Sequence, residues 1–162
     1  NRIMVGVHNP LFPRWRSAVG LLAIVIIVGV AFSIISGYVP KRAQAIVGGQ
    51  IISVEVADTP ESQARGLSFR RSIGANEGMF FVFDSPGNYG FWMKDMKFPI
   101  DIIWINNDRV VGFEKNIDPQ IGIRIEDLKI YYPPSEVDKV LEIQAGKVIA
   151  LRISVGDSVE IR

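Results

Sequence analysis

The sequence predicts a mainly β domain, built as a sandwich or a partly closed barrel with one or two short helices and preceded by an N-terminal transmembrane helix. Residues 51–162 contain short runs rich in β-branched and aromatic residues, and turn signals such as Asn106-Asn107-Asp108 separate these runs. Residues 17–40 form one uncharged hydrophobic run. Many short strands joined by turns are typical of sandwiches and barrels rather than of parallel α/β sheets.

The hydrophobic run of residues 17–40 has the length and flanks of a membrane span. It has 24 residues without a charge, and a bilayer core of ~30 Å needs about 20 apolar residues in a helix. Trp15 and Tyr38 lie at its two ends, with basic residues beyond them, as is usual at membrane interfaces. We therefore expect a single-pass helix that contacts the lipid bilayer over residues 17–40.

The charges around the span predict its orientation. Three basic residues precede it and two follow it closely, which favours residues 1–16 in the cytoplasm and the following domain outside it. A cleavable signal peptide is the alternative, because Ala43-Gln44-Ala45 has the small-x-small pattern of a cleavage site. The apolar run is longer than the roughly 7–15 residues of a signal peptide, and two basic residues precede the site, so an uncleaved anchor in the cell membrane is favoured.

The first elements after the span are a linker, a strand and a short helix. Residues 41–50, with two consecutive glycines, are predicted to form a flexible linker. Residues 51–57 alternate and are β-branched, which predicts a strand that opens the soluble domain of residues 51–162. Thr59-Pro60-Glu61 places proline in the first helical turn and an acid beside it, and Gly66 ends this helix.

The rest of the domain reads as short strands. A further helical turn or two is predicted over residues 145–151. The strand-like runs are residues 78–83, 89–93, 101–105, 110–114, 121–125, 139–143 and 159–161.

The composition excludes several classes of chemistry. The chain has no cysteine, and its one histidine is His8, upstream of the span. Disulfides, thiolate nucleophiles, Ser-His-Asp triads and zinc held by cysteine or histidine are therefore excluded from the soluble domain. Residues 43–162 carry 13 basic and 17 acidic residues, a net charge of −4, which argues against a nucleic-acid partner. We expect no metal and no cofactor.

Five blocks of sequence resemble a known family. They are residues 64–67 (Ala-Arg-Gly-Leu), 77–83 (Glu-Gly-Met-Phe-Phe-Val-Phe), 91–103 (Phe-Trp-Met-Lys-Asp-Met-Lys-Phe-Pro-Ile-Asp-Ile-Ile), 140–146 (Val-Leu-Glu-Ile-Gln-Ala-Gly) and 155–159 (Val-Gly-Asp-Ser-Val).

Over residues 51–161 these blocks resemble the domain-of-unknown-function family 192. The resemblance implies a compact, mostly β domain of jelly-roll-like topology that often follows a signal peptide or an anchor, and it implies no activity. The chain departs from the family at Ser68, where members usually carry Met, and at Asp95-Met96, where they carry Asn-Thr. These departures affect any site that those side chains shape.

Aromatic residues beside fixed charges in residues 91–101 are typical of a ligand cleft in which ring faces stack on sugars or flat groups. The alternative is structural: strand alternation sends Phe91 and Met93 inward, and Asp101 bonds backbone amides. No catalytic residue is assigned. The candidate ligand-binding residues are Arg65, Glu77, Trp92, Lys94, Asp101 and Glu142.

Two of these candidates have competing roles. Arg65 either clamps an anionic or hydroxylated ligand or forms a structural ion pair with Glu77 or Asp101. Glu142 points away from Leu141 and Ile143 if this segment is a strand, and it is then either an exposed side chain or a site acid.

Three functions from different classes remain. A non-catalytic ligand-binding or interaction module, with envelope carbohydrate as the expected partner, is favoured and predicts a concave aromatic face. A scaffold component that works through the membrane helix predicts an exposed apolar patch. A carboxylate-dependent hydrolase predicts two converging acids, at least one with a raised pKa.

Overall fold

The computed structural model describes residues 40–162. The predicted cytoplasmic segment of residues 1–16 and almost all of the predicted span of residues 17–40 lie outside the described residues. Within residues 40–162, no helix is both long enough and apolar enough to cross a bilayer.

The described part of the chain is mainly β, with two short helices and one 3-10 turn at Ile125–Asp127. The elements are β1 (Arg42–Val47), β2 (Gln50–Ala57), α1 (Pro60–Arg65), β3 (Glu77–Gly87), β4 (Phe91–Trp92), β5 (Ile100–Asn106), β6 (Arg109–Ile117), β7 (Ile130–Tyr131), β8 (Val137–Gln144), α2 (Lys147–Ala150) and β9 (Val159–Ile161).

Seven strands form one sheet in the order β6-β5-β8-β3-β2-β1-β9, and β4 pairs with β7 in a separate two-stranded ribbon. The β2–β3 pair is parallel, with α1 in the connection between its strands, whereas the other pairs in the described residues are antiparallel. The sequence did not predict this parallel pair.

The large sheet curls until its two edge strands meet at one end. Arg109 at the start of β6 pairs with Ser158 just before β9. The Val110 amide donates to the Asp157 carbonyl at 3.0 Å, and the Val159 amide donates to the Asp108 carbonyl at 2.9 Å. The sheet is therefore a curled half-barrel, which confirms the prediction of a mainly β domain with short helices and a partly closed barrel.

Both faces of the central strands are buried. Side chains alternate between faces along a strand, so Phe80 packs in the cluster inside the curl while its neighbour Phe81 packs in a second cluster on the opposite face. This second cluster is covered by Leu67 and by Met93 and Met96, from the segments after α1 and β4. In β5, six of seven residues are buried, which explains why residues 102–105 are all apolar and do not alternate with polar residues.

The predicted linker of residues 41–50 is wrong, because most of it is strand β1. Ala45 and Val47 are fully buried, since β1 pairs with β2 on one side and β9 on the other. Gly48 and Gly49, with φ of 55° and 81°, form the tight hairpin turn that positive φ permits. The first strand of the domain therefore begins at Arg42.

The predicted strand of residues 121–125 is also wrong. Ile121, Ile123 and Ile125 do alternate with polar or small residues, but they are 80%, 50% and 57% exposed. No neighbouring strand pairs with this segment in the described residues. It forms an exposed turn that leads into β7.

Gly78→Ala is expected to lower the free energy of unfolding by about 2–3 kcal/mol. A Cβ at Gly78 lies 2.5 Å from the Glu142 carbonyl oxygen and 3.0 Å from Cγ2 of Ile143. Both belong to β8 in the middle of the sheet, where close packing prevents relaxation. Urea unfolding measures the loss. In the control Gly74→Ala, the added Cβ meets only the flexible Glu77 side chain, at 2.9 Å, so we expect a smaller loss of stability. Equal losses in the two variants would contradict the close packing of Gly78 against β8.

Candidate functional site

A cleft of about 320 Å³ opens between α1 and the β4–β7 ribbon. We call it the aromatic cleft. Its walls include side chains from the end of α1, from β3 and from β4, and β8 contributes an acidic residue. The lining residues that matter here are Arg65, Phe81, Phe83, Phe91, Trp92 and Glu142.

Ring contacts hold the walls of the aromatic cleft in place. Phe83 stacks on Tyr89 with ring centroids 3.7 Å apart. Phe91 meets Phe81 edge to face at 5.0 Å, and it meets Trp104 at 5.5 Å. Edge-to-face ring pairs are a favourable geometry, so the contacts with Phe81 and Trp104 fix the position of Phe91 in the apolar wall of the cleft.

Alternation along β4 separates its side chains as predicted. Phe91 faces the second cluster and Met93 is 1% exposed, whereas Trp92 is 47% exposed and lines the cleft. The adjacent residues of a strand thus have different roles. Phe91 fixes the wall, and Trp92 offers a ring to an incoming molecule.

Glu142 is the acid of the aromatic cleft. It lies on β8 between Met79 of β3 and Ile102 of β5, and it is 6% exposed. Its Oε2 atom has no hydrogen-bond partner. Burial raises the pKa of Glu142 to about 8, against the opposing positive charge of Arg70. At neutral pH the group is therefore mostly an uncharged carboxylic acid.

Arg70 and Glu55 form an ion pair that sequence reasoning missed. The Arg70 guanidinium donates two hydrogen bonds to the Glu55 carboxylate, at 2.8 and 2.6 Å. These hydrogen bonds hold the pKa of Glu55 below its usual value. The sequence feature that indicates this pair is Glu55, a glutamate between Val54 and Val56 in an alternating strand. Inside the sheet, a partly buried carboxylate needs a charged or hydrogen-bonding partner.

The structure brings together three of the six candidate residues. Arg65, Trp92 and Glu142 line the aromatic cleft. Lys94 lies in a neighbouring groove, where its ammonium contacts the Asp95 carboxylate at 2.8 Å. Glu77 is exposed at the start of β3, about 13 Å along the strand from Phe81.

Asp101 lies on the opposite face of the sheet from Glu142. Asp101 is level with Ile143 and Glu142 is level with Ile102, so strand alternation sends the two carboxylates to different faces. The Asp101 carboxylate is fully buried. It accepts hydrogen bonds from the amides of Asn116 at 2.7 Å, Gly146 at 3.1 Å and Val148 at 2.8 Å. Asp101 thus holds backbone, which was the structural alternative.

The predicted ion pair of Arg65 with Glu77 or Asp101 does not form in the described residues. Arg65 is exposed at the end of α1, while Glu77 accepts a hydrogen bond from the Gly74 amide at 3.0 Å. Glu142 is the one carboxylate among the three candidates that lines the aromatic cleft. Within residues 40–162, no group of three or more His, Asp or Glu side chains has the arrangement of a metal site.

Comparison with known proteins identifies the family. Residues 43–161 match the sequence profile of DUF192, described as Uncharacterized ACR. The chain belongs to this family. The match confirms the resemblance over residues 51–161 and extends it through β1. No curated protein shows significant similarity to the chain.

Two solved structures share the fold of this DUF192 domain. A protein of unknown function from Novosphingobium aromaticivorans DSM 12444 is 32% identical, with a TM-score of 0.69 over 77% of this chain and 89% of that protein. A protein from Sinorhizobium meliloti 1021, described as a "putative transcription regulator", is 27% identical, with a TM-score of 0.67 over 75% of this chain and 95% of that protein.

Proposed function

We propose that this DUF192 domain is a non-catalytic binding module that takes a small hydroxylated ligand, such as a saccharide unit of the cell envelope, in the aromatic cleft. The observation that carries the proposal concerns Glu142, which lines this cleft. Its buried Oε2 atom has no hydrogen-bond partner. An unpaired buried polar atom costs about 1–3 kcal/mol. A ligand hydroxyl that reaches Glu142 would recover much of that cost.

The protonation of Glu142 favours a neutral hydroxylated ligand. A carboxylic acid has one donor and further acceptor capacity, and a hydroxyl group has both as well, so the two can pair in either direction. A cationic ligand would meet the positive charges of Arg65 and Arg70 near the same acid. The chemistry of the cleft thus suits hydroxyl groups better than ammonium groups.

The remaining walls fit the body of such a ligand. A volume of about 320 Å³ lies at the small end of the range for ligand sites, ~300–1,000 Å³. The half-exposed Trp92 ring offers an apolar face for a sugar ring. At the end of α1, Arg65 has up to five N–H donors for hydroxyl oxygens.

We further propose that residues 17–40 form a helix that anchors the domain to the cell membrane, on the outer side. The support is the uncharged run itself and the basic residues on its flanks. The description of the S. meliloti protein suggests a nucleic-acid function for that protein. The net charge of −4 over residues 43–162 argues against such a function for this domain. A hydrolase is opposed by the single acid in the cleft, since glycoside hydrolysis uses two.

Trp92→Ala and Glu142→Leu are each expected to weaken saccharide binding by about tenfold, which is 1.4 kcal/mol, because the first removes the stacking face and the second removes the hydrogen-bonding group. Binding of a panel of chito-oligosaccharides and glucans is measured by calorimetry on the full chain in detergent micelles. Val155→Ala shortens an exposed apolar side chain outside the cleft and serves as the control, with unchanged affinity.

Two results would count against this binding site. One is that no saccharide raises the melting temperature of the full chain. The other is that a saccharide binds with equal affinity to the Trp92→Ala and Glu142→Leu variants, in which case the ligand lies elsewhere. The Glu142→Leu variant is expected to unfold at a higher temperature than the native chain, because leucine removes the unpaired acid. Lost binding in that variant therefore cannot be ascribed to unfolding.

A further inference from the structure

We propose that an apolar surface formed by Phe69, Ile121, Ile123 and Ile125 lies against the lipid bilayer to which the domain is anchored. We call it the isoleucine surface. This inference rests on the anchoring part of the proposed function and is independent of the ligand in the aromatic cleft. It assigns a contact to the only cluster of the described residues in which four large apolar side chains, each at least half exposed, line one groove.

The isoleucine surface exposes more apolar area than folding requires. Phe69 is 63% exposed and Ile121 is 80% exposed, and with Ile123 and Ile125 they line a groove of about 600 Å³. Single exposed hydrophobic residues are normal, but a contiguous group rimmed by polar residues marks an interaction site. These four residues come from two segments that are far apart in the chain, so the exposed apolar surface does not result from the conformation of a single loop.

Phe69 is held outward by its backbone. Its φ is 67°, a left-handed conformation that costs a bulky residue of order 1–3 kcal/mol. Its amide donates to the Asp95 carbonyl at 2.9 Å, which fixes the turn against the segment after β4. A strained backbone that presents an aromatic ring to solvent is expected where the ring has a contact to make.

The described part of the chain begins on the side of the domain that carries Phe69. The uncharged run of the sequence ends at residue 40 and β1 begins at Arg42, so one residue, Lys41, separates them. The Arg42 guanidinium is 4.0 Å from Glu55, and Arg70, which follows Phe69, contacts the same carboxylate at 2.6 Å. Arg42, at the start of β1, and Arg70, which follows Phe69, therefore lie on one side of the domain, and an anchor that ends at residue 40 would keep that side within reach of the bilayer.

The chemistry of the surface suits a lipid interface. Apolar side chains of interfacial proteins enter the headgroup and acyl boundary by about 5–10 Å. Lys97 lines the same groove, and Lys129 lies next to it, because its amide donates at 3.1 Å to the Oε1 atom of Gln120, which also lines the groove. Lysines near a membrane surface are attracted to anionic headgroups. Arg124 contributes less, because its charge is offset by Glu126 and Asp127 at 3.0 and 2.7 Å.

The absence of native cysteine allows a single-site probe to test the proposal. Ile121→Cys in the full chain is labelled with an environment-sensitive fluorophore and reconstituted in vesicles of phosphatidylcholine and phosphatidylglycerol. We expect a blue-shifted emission and a several-fold larger quenching by headgroup-level nitroxide lipids than for the same probe at Val155→Cys. Val155 is the matched control, since it is 62% exposed and does not line this groove.

The outcomes separate this proposal from the anchoring on which it rests. If the labelled chain does not float with the vesicles, the anchor itself fails. If it floats and the two probes are quenched equally, the anchor holds and the docking is refuted. A blue shift at residue 121 that persists in dilute detergent, without lipid quenching, would assign the surface to a protein contact instead. Adding Phe69→Ala and Ile123→Ala to the Ile121 probe should reduce the quenching markedly.

Discussion

Asp101→Ala is expected to lower the free energy of unfolding by about 3–5 kcal/mol. The fully buried carboxylate accepts three backbone N–H groups, and alanine would leave all three without a partner. Each buried unpaired group costs about 1–3 kcal/mol. The loss is therefore large although Asp101 makes no ion pair in the described residues.

The three amides explain what Asp101 fastens. The register between β5 and β6 shifts between Ile100 and Ile102, and the bulged residue Asn116 has a φ of 53°, so its amide points away from the ladder. Gly146 and Val148 belong to the turn and first residues of α2. One side chain thus closes a bulge and starts a helix on the inner side of the curled sheet.

Chemical denaturation of three variants tests this role. Asp101→Asn keeps one oxygen acceptor but directs an N–H₂ group at a backbone amide, so we expect a loss smaller than that of alanine and still above about 1 kcal/mol. Asp84→Asn changes an exposed aspartate and should shift stability by no more than about 0.5 kcal/mol. If Asp101→Ala left the protein as stable as the native chain but abolished ligand binding, Asp101 would be a ligand-binding residue and not a structural one.

Local patterns predicted the elements that local chemistry determines. The Thr59 side chain accepts from the Ser62 amide and Ser62 reciprocates, with Pro60 in the first turn, so α1 begins where the sequence placed it. The alternation of residues 51–57 corresponds to β2. Strand β1 was missed because two small residues and a glycine pair looked like a linker, and its burial depends on β9, more than a hundred residues away.

The candidate site was predicted in part for the same reason. The sequence indicates Trp92 as an aromatic residue beside charges and Arg65 as a clamp for a ligand, and both line the aromatic cleft. The pairing of strands decided the rest. Asp101 and Glu142 lie on adjacent strands, but a register one residue different would have put them on one face. Sequence alone does not contain that register.

The burial of Glu142 depends on a second layer that the sequence does not reveal. Alternation correctly sends it to the face opposite Leu141 and Ile143. In a sheet with one solvated face this would be an exposed position. Here Met93 and Met96 cover that face, so the same alternation produces a buried acid.

The raised pKa of Glu142 makes the stability of the domain depend on pH. The carboxyl group has a pKa of about 8 in the fold against 4.5 in a model chain, so between these values the folded state retains a proton that the unfolded state has lost. Stability from this group is complete below pH 4.5 and falls by about 1.4 kcal/mol per pH unit up to pH 8. The whole change is about 5 kcal/mol, which is comparable to the stability of many domains.

Urea unfolding of the full chain in micelles at pH 5, 6, 7 and 8 measures this slope, and Glu142→Gln isolates it, because glutamine has a similar shape and does not titrate. The difference between native and variant stability should decrease steadily over this range. Glu55 does not interfere, since hydrogen bonds from Arg70 lower its pKa, so its contribution is lost only in more acidic solution. Parallel stability curves for the two proteins would mean that Glu142 titrates normally.

The same measurement bears on the ligand. A hydroxylated ligand that pairs with the protonated acid should bind more weakly above pH 8, because ionised Glu142 keeps its acceptors but loses its donor. A ligand that only donates to Glu142 would instead bind more tightly as the pH rises. We therefore compare the saccharide affinity of the native chain and of Glu142→Gln at pH 6 and pH 9. The comparison shows whether Glu142 donates or accepts the hydrogen bond. If the affinity changed equally with pH in both proteins, the ligand would not contact Glu142.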